Sequence, residues 1–271
     1  MFAKPLFLFL AVAALSFSAT TLVNVVSPPV GEVGNGAIVD AGTIGPGQTL
    51  PILINSIVTT GGIYGNGGTM DLAMASDLPS GWTTQESQLY QHPLQVTVTA
   101  DPDAAPGNYT FNVTVINENN GEQLGNVTFT AVVQVTWDVM NFSVVPDQIT
   151  VGPGQPAQFS LNITNKGSAS DVFEVSATGA GNWDFTKQVF VPAMSTSTVP
   201  YEIVGDEGVY TPTLKVVSLA SSNIAAEQNV TINVHPDLFG DYKAANHGTL
   251  LFPIFEAPIY AVAGLISNFL G

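Results

Sequence analysis

Three imidazoles, His92, His235 and His247, are the side chains here best suited to proton transfer near neutral pH, because the chain has no cysteine. A triad-type nucleophilic site would need one of them beside a hydroxyl nucleophile and an orienting acid. None has such a partner at a recognisable spacing. No phosphate-cradling glycine loop, His-x-x-x-His pair or nucleophile elbow occurs either. The pattern predicts no enzyme, no catalytic residue and no cofactor. Asp101-Pro102-Asp103 puts two carboxylates in one turn, where Asp101 and Asp103 could chelate calcium with help from backbone carbonyls. Asp-Pro is also an ordinary turn opener, and the alternating ligand array of a dedicated calcium loop is missing.

Two further residue classes carry chemistry. Six Asn-x-Ser/Thr sequons stand at Asn108, Asn112, Asn126, Asn141, Asn162 and Asn229. Five of them, all but Asn141, fall on the polar parity of segments whose alternate residues are apolar, where a glycan would face water. The aromatics Trp82, Tyr90, Trp183 and Tyr201 could form a sugar-stacking face, but a lone tryptophan in a β-rich repeat is more often core.

The elements that would position these residues come as a duplication. Pro46-Gly47-Gln48 and Pro153-Gly154-Gln155 each open a series: an apolar strand, a lone tryptophan (Trp82, Trp183), an acidic turn (Asp101, Asp206), then Gly-x-Tyr (Tyr109, Tyr210). A period of roughly a hundred residues suits two folded domains rather than a solenoid. Tyr109, Phe111, Val113 and Val115 alternate with polar residues, as do Val127 to Val135, Phe159 to Ile163 and Val230 to Val234. That period of two, with turn signals every ten residues or so, predicts antiparallel β-sandwiches with Trp82, Trp183, Tyr109 and Tyr210 as core residues.

Composition and the two ends set the compartment. Lys plus Arg number 5 against 21 Asp plus Glu, which leaves no cationic cluster for nucleic acid. Residues 1–19 combine Lys4, an apolar core and small residues at Ser16, Ser18 and Ala19, the pattern of a secretory signal peptide. After it, Leu22, Asn24 and Val26 alternate with Val23 and Val25 before Pro28-Pro29. This strand would either open its own domain or complete the sheet of a neighbouring subunit. Residues 237–271 end in a long apolar stretch, in which Phe252, Glu256, Leu265 and Phe269 are the expected attachment residues. Its length suits a membrane span, yet Glu256 is costly in hydrocarbon and Pro253 and Pro258 interrupt a helix. Membrane attachment, docking on a partner and packing on its own domain all stay open.

The stretch from Ile149 to Val234 resembles a known family. Its Pro-Gly-Gln turn, "FSLNITNKGSASDVFEVSATGAGNW", the Val191-Pro192 strand start and "GVYTPTLKVVS" are similar to the alpha-galactosidase-associated immunoglobulin-like β-sandwich module. Residues 40–135 match it more loosely, with a glycine-rich insertion at 61–68. The resemblance implies an exported bacterial or archaeal protein, often with tandem modules next to a membrane anchor, and carries no catalytic residues. The expected architecture is all-β: signal peptide 1–19, sandwich 20–136, sandwich 137–236, and an apolar tail 237–271 that is helical. The expected role is a glycosylated structural protein of the cell surface, a subunit of a surface layer, filament or stalk. Its partners would be copies of itself or other surface proteins, with the membrane reached through the tail. The alternatives are a carbohydrate-binding or adhesion protein with glycan partners, and a filament subunit donating residues 20–27 as a strand.

Overall fold

The longest alternating segments pair with each other residue for residue. Val127 to Val135 runs antiparallel to Gly107 to Val115, in register from Val127↔Val115 to Val135↔Gly107. Alternation fixes this register, since a slip of one residue would turn Phe129, Ala131 and Val133 out to water. In the computed structural model the described residues are 20–60, 67–119 and 124–236. The signal-peptide segment 1–19 and the tail 237–271, with Phe252, Glu256, Leu265 and Phe269, lie outside them.

The first half forms β1 (Leu22–Ser27), β2 (Gly31–Gly34), β3 (Ile38–Ile44), β4 (Thr49–Thr60), β5 (Gly68–Thr69), β6 (Leu72–Ser76), β7 (Thr83–Gln85), β8 (Leu94–Thr99), β9 (Gly107–Ile116) and β10 (Val127–Val135). One sheet has the order β2-β1-β4-β8-β7, with β5 on β4; the facing sheet is β3-β10-β9-β6. Strand β3 pairs parallel to β10, whereas the other neighbours are antiparallel. This is an immunoglobulin-like sandwich. Strand β1 is held inside it, between β2 and β4, with Val23 and Val25 buried. A strand whose two edges and apolar face are already satisfied is not free for donation, so the donor-strand reading of residues 20–27 is corrected.

The second half forms β11 (Met140–Val145), β12 (Gln148–Val151), β13 (Pro156–Asn165), β14 (Asp171–Thr178), β15 (Phe185–Val191), β16 (Ser195–Val204), β17 (Gly208–Tyr210), β18 (Thr213–Ser218), β19 (Ala225–Asn229) and β20 (Thr231–Val234). One sheet is β11-β13-β16. The other face is split into β15-β14-β18-β19 and β12-β20-β17. The split falls where Pro212, lacking an N–H, separates β17 from β18. Two apolar clusters fill the sandwiches, one spanning Val23 to Val135 together with Ala169, and the other Val139 to Val234.

One topological difference between the repeats decides where the tryptophans go. In the first, the segment after β6 crosses to the opposite sheet and pairs with β8 as β7. In the second, the segment after β14 turns back and pairs with β14 itself as β15. Trp82 lies on the crossing, so its indole is enclosed between the sheets, 7% exposed and stacked near Tyr109 and Phe111. Trp183 lies instead at a hairpin tip, in the short 3-10 turn Gly181–Trp183, and is 41% exposed. The expectation that Trp183 is core is therefore corrected. Tyr201 takes the aromatic place, packed on Phe159 and Phe185 with its hydroxyl donating to Trp183 O at 2.8 Å.

Candidate functional site

The two Gly-x-Tyr motifs do the same local work. Tyr109 donates its hydroxyl to Ala105 O at 2.9 Å, and Tyr210 donates to Asp206 O at 3.1 Å. Each phenol ties the strand it opens to the preceding turn, the tyrosine corner of immunoglobulin-like sandwiches. Both rings are half-buried and pack against their cores.

The two Pro-Gly-Gln turns share an internal brace as well. Gln48 Oε1 accepts from Gly45 N at 2.7 Å, and Gln155 Oε1 accepts from Gly152 N at 3.3 Å. The first turn does more, because it is the surface on which the second sandwich sits. Gln48, 1% exposed, donates its Nε2 to Asp171 Oδ2 at 2.7 Å. The same oxygen accepts from Ser218 Oγ at 2.7 Å, while Asp171 Oδ1 accepts from Val172 N. A carboxylate 6% exposed is thus met by three donors, one from the other domain.

Backbone contacts close the joint around that centre. Ser168 N donates to Thr43 O at 2.7 Å, Thr43 N donates to Ser168 Oγ at 3.3 Å, and Ser221 Oγ donates to Pro102 O at 2.9 Å. Gly47 has φ of +70°, and a Cβ there would come within 2.0 Å of Ala220 O, so only glycine fits both the turn and the approach. Val139, fully buried, covers Gly45, and Ala169 joins the apolar cluster of the first sandwich. Asp138 pairs with Lys166 at the rim. This joint is the most elaborate polar constellation in the described residues, and its chemistry is adhesion between domains.

The residues singled out from sequence are placed as follows. Asp101 Oδ1 accepts from Asp103 N at 2.8 Å, an Asx turn, and its other oxygen lies against Gly81. Among the described residues no group of three or more His, Asp or Glu side chains is arranged to hold a metal ion. His92 Nδ1 lies 2.6 Å from Ser56 Oγ, a contact between the turn before β8 and the body of β4, and His235 follows β20 in the second sandwich. His247 lies outside the described residues. The four aromatics do not share a face: Trp82 and Tyr201 are buried in separate cores, and only Tyr90 and Trp183 reach solvent.

The sequons divide by accessibility. Asn108, Asn126, Asn141 and Asn229 are exposed, and Asn112 and Asn162 are half-buried. Asn112 Nδ2, the atom a glycan would occupy, donates to Asp77 Oδ2 at 2.7 Å, and its Oδ1 accepts from Thr130. Asn162 and Asn229 use Oδ1 to accept from Thr198 and Thr213, leaving the nitrogen outside those bonds.

Sequence reasoning missed Gln48, Asp171 and Ser218 as a unit. A signal was present: both repeats head the strand after the long apolar one with an aspartate, Asp71 and Asp171. Asp71 is also buried, and accepts from Glu118 N at 2.9 Å. A buried carboxylate at a strand head requires donors, which points to a brace or a joint.

No protein-family model matches the chain, and no curated protein sequence matches it. Solved structures similar to it include a chimeric titin Z1Z2 (TM-score 0.37, 12% identity, covering 81% of this chain and 100% of that one). They also include fibronectin(III)-like modules of Clostridium thermocellum CbhA (TM-score 0.26, 14% identity, 79% of this chain and 94% of that one). The titin I9-I11 tandem gives a TM-score of 0.33 at 9% identity, covering 79% of this chain and 66% of that one. The fold assignment rests on the strand pairing described above.

Proposed function

We propose that this chain is an exported structural protein of the cell surface: two sandwiches locked into one stiff spacer, glycosylated on exposed strands and attached through its apolar tail. The carrying observation is the joint. A flexible tether between domains needs no buried polar contacts, and an inter-domain surface is by default mobile unless it is specifically sealed. Here Gln48 reaches 123 residues along the chain to a buried carboxylate. Such a bond holds only one relative orientation, because any other leaves Asp171 and Gln48 short of partners. Stiffness of that kind serves a protein that must hold something at a distance. The motif resemblance to the alpha-galactosidase-associated module, the leader pattern at 1–19 and the sequons support the same reading.

Fractionation of the producing cells tests it. The account predicts protein in the envelope fraction, lacking residues 1–19 and carrying hexose-containing mass. Cytoplasmic protein that retains residues 1–19 and has the mass of the bare polypeptide would overturn it.

A further inference from the structure

The outward face of the β3-β10-β9-β6 sheet is not flat, and the reason begins in the sequence of β3. Gly42 sits at φ of +85°, which glycine adopts without strain. There the register with β10 slips: Val132 pairs with Asp40, but Gln134 pairs with Thr43. Ala41 and Gly42 together face one residue of β10, a β-bulge that bends the strand. Beside the bend lies a cleft of about 490 Å³, bordered by Ile38, Asp40, Thr43, Val132, Gln134 and Asn108.

The lining of this cleft suits one class of ligand. Ile38, 77% exposed, and half-buried Val132 give it an apolar strip. Thr43 Oγ1 donates to Gln134 Oε1 at 3.2 Å, and Asp40 Oδ1 accepts from Gly42 N at 2.9 Å. Gln134 Nε2 and Asp40 Oδ2 lie outside those bonds, one a donor and the other an acceptor for a ligand hydroxyl. Residues 20–136 contain no Lys or Arg, so no cation answers a phosphate, sulfate or carboxylate there. A neutral polyol with a C–H face fits this lining, which is the chemistry of a sugar.

The source of the sugar stands at the border. Asn108 heads the sequon Asn108-Tyr109-Thr110, is exposed, and lies directly opposite Gln134 in the β9–β10 ladder. Asn112 Nδ2 is held by Asp77, whereas Asn108 has no side-chain hydrogen bond among the described residues. We infer that a glycan on Asn108 lies back in this cleft, its first sugars over Val132 and Ile38 and its hydroxyls on Gln134 and Asp40. The inference rests on the reading of the sequons as glycosylated, and adds to it a built seat for one of the chains. The consequence is a fixed saccharide surface on one face of the first sandwich, with Ile38 covered beneath it.

Hydroxyl-radical footprinting tests this on the full glycosylated protein from the producing cells. The comparisons are the same protein after enzymatic removal of its N-linked sugars, and Asn108→Gln. Peptide masses establish first whether Asn108 is occupied. Labelling of a side chain follows its exposed area, so the glycan should at least halve the labelling of Ile38. Ile57, exposed on β4 in the opposite sheet, should label equally in all three samples. Equal labelling of Ile38 with Asn108 occupied overturns the seat and leaves the glycosylated reading standing. A bare Asn108 beside other occupied sequons also overturns the seat alone, whereas six bare sequons overturn both. Protection of Ile38 that persists without the sugar and grows with protein concentration would make a second copy the occupant, and overturns the inference as well. Should Asn108→Gln fail to fold, the trimmed wild type decides by the same comparison.

Discussion

Replacing Gln48 by leucine probes the joint while keeping the volume of the side chain nearly constant. The amide is 1% exposed and serves two partners, Gly45 N at 2.7 Å and Asp171 Oδ2 at 2.7 Å. Loss of a hydrogen bond to a charged acceptor costs about 1.5 to 3 kcal/mol, and an orphaned buried N–H costs about 1 to 3 kcal/mol. The added apolar burial of leucine returns roughly 1 to 2 kcal/mol. A net loss of about 2 to 3 kcal/mol follows, and it should fall on the coupling between sandwiches rather than on either core. The assay is denaturant unfolding of the four chains of a double-mutant cycle, with Gln48→Leu, Asp171→Asn and both together. Coupling of about 1 to 2 kcal/mol is expected, since both changes cut the same bond. Strict additivity, with coupling indistinguishable from zero, would refute the reasoning. The second domain's own Ser218–Asp171 bond would then be the only part of the cluster that matters.

Trp82→Ala should destabilise the first sandwich by about 3 to 5 kcal/mol, whereas Trp183→Ala should cost less than about 1 kcal/mol, as separate melts of the two variants will read. Burial, and then the negative charge of Asp184, push the Tyr201 phenol up to about 12 from its ordinary 10.0. The folded state then holds the proton more tightly, so its contribution is complete below pH 10 and is lost as pH rises through 12. Tyr201→Phe should remove that part of the alkaline destabilisation of the second sandwich, and an unchanged alkaline profile would count against it. Glycan mapping of native protein should find Asn108, Asn126, Asn141 and Asn229 occupied ahead of Asn112, whose Nδ2 is held by Asp77; early occupancy of Asn112 would show that this bond forms only after modification.

Much of the fold was legible because alternation is a local signal. Phe111, Val113 and Val115 announce their burial by their neighbours, and the two Gly-x-Tyr motifs mark equivalent strand starts. The fate of Trp183 was not legible. It depends on whether the next segment pairs with the strand before it or crosses to the other sheet, and both options bury alternate residues of that segment equally well. The joint was half visible. Pro46-Gly47-Gln48 stood out as a turn, but the partner of Gln48 lies far along the chain, and nothing near position 48 names Asp171. A buried acid heading an apolar strand was the available clue. The place of β1 was legible only as an alternation, since its neighbours β2 and β4 are set by tertiary packing.

The account stands or falls on the two sandwiches moving as one body. Because the chain has no native cysteine, Thr110→Cys in β9 and Lys187→Cys in β15 provide two unique, exposed sites for spin labels, one in each sandwich. Pulsed dipolar spectroscopy should give one narrow distance distribution in the full chain, and a broad one once Gln48→Leu is added. A distribution that is already broad in the otherwise unaltered chain would contradict the locked spacer.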